Sequence, residues 1–144
     1  MTHTCPDCNF TLYHVVAELQ VSVLALYSDE RFPGRALLSL YEHHENFADM
    51  PEDLAIAFLN DIRVAGRAIA AATSCRRVNY AVLGNAEPHV HAHIIPRYHD
   101  DPVPTKAPWA HPDVVTPMTD DALTVMSAMI RLRLRIDAAH RKIS

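Results

Sequence analysis

Two stretches of this chain carry apolar residues at helical spacing, while many of the remaining apolar residues fall in short extended runs. Within 51–73, Leu54, Phe58, Ile62, Ala65 and Ile69 recur every three or four residues, which gathers them on one stripe of a helix. Pro51 suits the first helical turn, and Glu52 and Asp53 complement the positive end of the helix dipole. A last helix is predicted from Thr119, a capping residue, with Asp120 and Asp121 in its first turn. Its stripe is Leu123, Met126, Ile130 and Leu134. Arg131, Arg133, Arg135, Arg141 and Lys142 crowd its C-terminal part and read as a charged surface matched to the dipole.

The extended runs predict strands at 15–19 and 21–26, which suit a hairpin, and at 36–40 and 79–83. Residues 29–34 form a loop with Pro33-Gly34 as its turn signal. Gly84-Asn85 interrupts the chain before extended structure resumes over 89–95. Residues 99–118 hold five of the ten prolines and little periodicity, and read as a long irregular segment packed over the body, the kind that often serves a site.

With 144 residues the chain fits one domain, with 119–144 as a helical extension packed on a body of 1–118. A net charge of −4 argues against broad binding of nucleic acid but leaves room for a small phosphorylated ligand. No apolar run reaches the length of a membrane helix, and the N-terminus lacks a basic start and an apolar core, so a cytoplasmic protein is expected. Cys75 reads as a small hydrophobe. Ten histidines are roughly a threefold excess over ordinary composition, and several cluster.

The cluster His89-Val90-His91-Ala92-His93 carries the chemistry. Residues two apart on a strand share a face, so the three imidazoles are expected on one face and Val90, Ala92 and Ile94 in the core. Packing alone does not call for such a row. Two functional readings stand: a metal held by alternating histidines, and phosphate chemistry in which one imidazole attacks phosphorus while its neighbours neutralise charge and protonate the leaving group. Gly84 allows close backbone approach to a ligand, and Asn85 adds an amide donor without negative charge, which together suggest part of an anion pocket.

The stretch from Asn79 to Tyr98, with Leu83-Gly84-Asn85, Pro88, the three histidines and Pro96-Arg97, resembles the signature of histidine triad (HIT) proteins, in a version similar to a bacterial branch. Pro33-Gly34 and His43 followed by Phe47-Ala48-Asp49-Met50 support the resemblance in the first half. It implies an α+β, HIT-like fold: an antiparallel sheet of about five strands with a long central helix, here followed by a C-terminal helix. It implies a homodimer and hydrolysis or transfer of nucleoside monophosphates from dinucleoside polyphosphates or nucleoside phosphoramidates. A nucleotide-binding module with negligible turnover is the alternative. Carried over by position, His91 is the nucleophile at the α-phosphorus, and His93 contacts the phosphate and assists the leaving group. Asn79, Gly84 and Asn85 match positions at the phosphate pocket. The ribose-binding acid or amide of many relatives has no clear match: Tyr27 falls there without gaps, and Asp29 requires a shift.

Cys5 and Cys8 have the spacing of a zinc knuckle, for which a redox pair is the alternative. The resemblance supplies two further ligands, since zinc-bearing relatives use the first triad histidine and one after the third strand. These match His89 and His43, with His44 as a competitor. A zinc ion on Cys5, Cys8, His43 and His89 would be structural and would remove His89 from catalysis.

Overall fold

The structure is a computed structural model and describes residues 1–142. In chain order its elements are β1 (His3–Thr4), β2 (Thr11–Leu12), β3 (Val15–Glu18), β4 (Ser22–Leu26), β5 (Ala36–Leu40), α1 (Glu52–Thr73), β6 (Arg77–Val82), β7 (His91–Arg97) and α2 (Asp120–Arg141). The last five strands form one antiparallel sheet in the order β3-β4-β5-β7-β6, and β1 pairs with β2 as a separate ribbon. This is an α+β fold with the expected five-stranded antiparallel sheet and two helices.

The register assigns each residue of the sheet to a face. Leu24, Leu38, Ala92 and Val82 form one row across β4, β5, β7 and β6. The next row, on the opposite face, is Ala25, Leu37, His93 and Ala81. The first face packs against the helices, where Phe58, Ile62, Ala65 and Ile69 of α1 and Leu123 and Ile130 of α2 join Leu24, Leu38, Ala92 and Ile94 in the main core. Both predicted helix stripes are thus the core stripes. Gly66 of α1 lies so near the Tyr80 ring of β6 that an added Cβ would come within 2.2 Å of its hydroxyl, so only a glycine permits this packing.

The second face is also covered, where an alternating pattern suggested a half-buried strand. The N-terminal segment folds back over it, and Cys5, Phe10, Leu12, Val15, Val23 and Ala25 make a second apolar cluster. Around Cys5 and Cys8 the structure adds a flanking β1–β2 ribbon, whose two-residue strands are too short for periodicity to reveal.

Strand ends move by one or two residues from expectation. β6 begins at Arg77, ahead of 79, because β7 runs on to Arg97 and the ladder pairs Arg77 with Arg97 and Val78 with Pro96. β7 begins at His91, so His89 lies in the turn before the strand and not in its alternating row. There the Val90 amide donates to the His44 carbonyl, and the chain bends where a regular ladder would have continued. Pro51 is the N-cap of α1, one position before the first helical residue.

Two buried polar groups tie elements together. Asp61 of α1 accepts hydrogen bonds from the backbone amides of Gln20 and Val21 and from the Ser22 hydroxyl, so the helix closes the β3–β4 turn. Arg131 of α2 is no free surface charge: it donates to the carbonyls of Val15 and Val16 and pins the helix to the β3 backbone. Among the described residues no helix is long and apolar enough to cross a membrane.

Candidate active site

His91 and His93 occupy adjacent same-face positions on β7, with ring centroids 5.2 Å apart. Both line a cavity of about 600 Å³. Its other walls come from the N-terminal segment (Phe10 to His14), from β4 and the loop after it (Ala25 to Ser28), and from Leu83 to Glu87. The size suits a nucleotide-sized ligand, and the lining is mostly apolar with a few convergent polar groups.

The His91 ring is oriented by its own backbone neighbourhood. Its Nδ1 lies 2.7 Å from the His89 carbonyl oxygen, which can only accept, so Nδ1 carries the proton. In its neutral form the ring therefore has its lone pair on Nε2, the arrangement that a nucleophile requires. His91 is only 6% exposed, and the Phe10 ring packs 5.0 Å from it. His93 is held differently. Its Nδ1 is buried with no hydrogen-bond partner, and burial, followed by the nearby His91 and Arg35, pushes its pKa down to about 4. At neutral pH it is an uncharged imidazole with an open polar position.

Gly84 has φ of +72°, a backbone conformation that disfavours side chains, and it and Asn85 lie in the cavity wall. Asn79 does not join them. Its carboxamide oxygen accepts from Arg97 at 2.7 Å, and it is absent from the cavity lining.

At the ribose-matching position the two candidates separate. Tyr27 lines the cavity, and so does Ser28, which sequence reasoning passed over. Asp29 is fully buried and bonded to Arg31 and Arg35, whose guanidinium groups hold its carboxyl below the usual value against the opposing effect of burial. The Arg35 guanidinium stacks 4.1 Å from the Tyr27 ring centre, fixing that wall. Arg97 was legible only as part of a signature; here it organises the 99–118 segment by bonding Asp101 and the carbonyls of Val103 and Lys106.

Cys5, Cys8, His43 and His89 converge next to this site, with ligand atoms all within 4.8 Å of one another. Among the described residues they are the metal-ligating group of three or more that the structure brings together, and neither Glu87 nor Asp100 belongs to it. The Nδ1 atoms of His43 and His89 are 3.3 Å apart, Cys8 Sγ is 3.5 Å from His89 Nδ1, and Cys5 Sγ is 3.8 Å from His43 Nδ1. A tetrahedron's edge is about 1.6 times its centre-to-corner distance. Zinc–nitrogen bonds of about 2.0 Å and zinc–sulfur bonds of about 2.3 Å therefore imply edges of about 3.3 Å between nitrogens and about 3.5 Å between sulfur and nitrogen. The donor set is compatible with zinc. His89 Nε2 lies 3.0 Å from the Leu40 carbonyl and donates to it, which leaves Nδ1 as the ligating nitrogen, and burial pushes its pKa down so that the ring stays neutral. His44 turns to Glu42 at 3.0 Å and is not one of the four.

The HIT domain model matches residues 12–100. A histidine triad protein from Bradyrhizobium japonicum has the same fold at a TM-score of 0.76 and 22% identity, over 83% of this chain and 89% of that one. One from Marinobacter aquaeolei gives 0.75 and 21%, over 85% and 88%. A Zn-bound histidine triad family protein from Mycobacterium smegmatis gives 0.63 and 17%, over 87% and 86%. No curated protein matches the sequence.

Proposed function

Because the chain belongs to the HIT domain family, we propose that it is a nucleotide hydrolase or nucleotidyl transferase working through a nucleotidyl-histidine intermediate. The observation that carries this reading is the fixed tautomer of His91, which keeps a lone pair on Nε2 in a nucleotide-sized cavity beside a neutral His93. Nε2 forms a bond to the α-phosphorus as the bond from phosphorus to the leaving group breaks. The leaving group takes the electron pair and a proton from water, while the neutral His93 ring assists by hydrogen bonding and not as a charged acid. Water then attacks the phosphorus, releasing the nucleoside monophosphate and restoring His91. On this reading Gly84 and Asn85 bound the phosphate end, the apolar walls take the base, and Tyr27 and Ser28 meet the ribose, which their common position in the cavity lining supports.

We assign Cys5, Cys8, His43 and His89 as holding zinc. Bound there, zinc supplies a structural cross-link with every position filled by protein. A homodimer and a cytoplasmic location complete the reading. The outer edge of β6, with Tyr80, Val82 and Leu83 exposed, is a surface on which a second copy can add.

The test is to incubate the protein with labelled dinucleoside polyphosphates, nucleoside phosphoramidates and adenylylated sulfate, and to trap a phosphohistidine. Labelling is expected in the wild-type protein and not in a correctly folded His91→Ala variant. Label retained by that variant sinks the mechanism, and binding without label in the wild type favours a nucleotide-binding module.

A further inference from the structure

Trp109, the chain's one tryptophan, is 53% exposed, yet the segment that carries it is not loose. Arg97 donates to the Lys106 carbonyl at 2.8 Å and to the Val103 carbonyl at 2.9 Å, which anchors the approach. Pro108 is buried and opens a short 3-10 turn over Pro108–Ala110. On the far side, the His111 ring meets the edge of buried Phe32 at 5.5 Å. The backbone on both sides of the indole is therefore pinned while the indole itself stays largely open to solvent.

The indole also has a specific neighbour. Its ring centroid lies 6.3 Å from that of His93, in an edge arrangement, and it borders His93 from outside the cavity that His93 helps to line. His93 thus meets both a nucleotide-sized cavity and an exposed aromatic side chain that is not part of that cavity's lining. Single exposed aromatic residues are ordinary on protein surfaces, and this one is distinguished by its rigid mounting beside a reacting imidazole.

We infer that Trp109 determines specificity for the leaving group, stacking on a planar aromatic ring carried by the part of the substrate that departs past His93. The inference rests on the proposed roles of His91 and His93. The nucleotidyl part fills the cavity, so the departing part emerges from it, and where it passes His93 the indole offers an exposed π surface, while Tyr13, also exposed, belongs to the cavity lining itself. Stacking of a nucleobase on an aromatic side chain is worth a factor of about five to about 160 in affinity, and a smaller planar ring is expected towards the low end of that range. The surface carries no positional code for hydrogen bonds, so it selects for planarity and not for one particular ring.

Two adenosine 5′-phosphoramidates test this, one of benzylamine and one of cyclohexylmethylamine, which match in length and charge and differ in planarity. Wild-type protein is expected to prefer the benzyl compound in kcat/KM by at least about fivefold. The preference is expected to vanish in Trp109→Ala and to survive in part in Trp109→Phe. An equal benzyl-to-cyclohexyl ratio in wild type and Trp109→Ala overturns the inference. Intrinsic fluorescence reports on Trp109 alone, because the chain holds no other tryptophan. Its emission is expected to change on titrating His91→Ala protein with the benzyl compound and not with the cyclohexyl one. Turnover of neither compound counts against the hydrolase reading and leaves the stacking to this titration, in which identical responses overturn it.

Discussion

The carbonyl oxygen of His89 holds the Nδ1 proton of His91 at 2.7 Å, so the two histidines are joined through the backbone of one and the ring of the other. The His89 ring itself belongs to the Cys5–Cys8–His43 cluster, and Phe10, from the segment that carries both cysteines, packs against the His89 and His91 rings. The Cys–His cluster and the proposed nucleophile are therefore mechanically one unit.

This coupling predicts that loss of the cluster loosens the active site before it unfolds the sheet. Elemental analysis is expected to find one zinc per chain, lost in Cys5→Ser and His43→Ala and kept in His44→Ala. In Cys5→Ser, covalent labelling of His91 is expected to slow by about tenfold or more, a size typical of lost supporting contacts around a site. Zinc retained in Cys5→Ser would move the metal to His91 and His93 and refute the structural assignment.

His93 predicts a pH dependence with a definite sign. Its folded pKa is about 4, against an ordinary value of 6.5. Between those values the unfolded chain binds a proton that the folded chain refuses. The contribution of His93 to stability is thus fully present above pH 6.5 and is lost as pH falls from 6.5 towards 4. Denaturant midpoints measured at pH 7.5 and pH 5 should fall further apart in the wild type than in His93→Asn. Equal spacing in the two proteins would contradict the neutral, buried state of this ring.

Asp61 predicts a purely structural loss. Removing its carboxylate leaves a buried hydroxyl and two backbone amides at the β3–β4 turn without their acceptor. Asp61→Ala is expected to cost about 3 kcal/mol in urea unfolding, and Asp61→Asn less, because the amide oxygen still accepts. A loss below about 1 kcal/mol would mean that water replaces the carboxylate.

Much of this architecture is legible in the linear pattern. The stripe of Phe58, Ile62, Ala65 and Ile69 is the buried face of α1, and the 36–40 run is β5 to the residue. Such features depend on local periodicity, which any window of the chain displays. The β1–β2 ribbon is not legible because two-residue strands show no periodicity, and the burial of Asp61 is not because its partners at Gln20, Val21 and Ser22 lie far along the chain. Arg97 holds a loop by carbonyl oxygens, and the sequence does not display which carbonyls a guanidinium will meet.

The site divides in the same way. Alternation by itself marked His89, His91 and His93 as a chemical unit, and the Cys-x-x-Cys spacing marked a second pair of donors. The family resemblance assigns His89 to a zinc set apart from His91 and His93, and the tertiary structure gives the physical reason for two neighbourhoods. That structure begins the regular strand only at His91, turns the chain at Val90 towards His44, and folds the N-terminus back so that Cys5 and Cys8 reach His89 across more than eighty residues. Spacing determines which side chains can share a face of one element. Which groups come within bonding distance across elements is decided by how the elements pack, and that is a property of the whole chain.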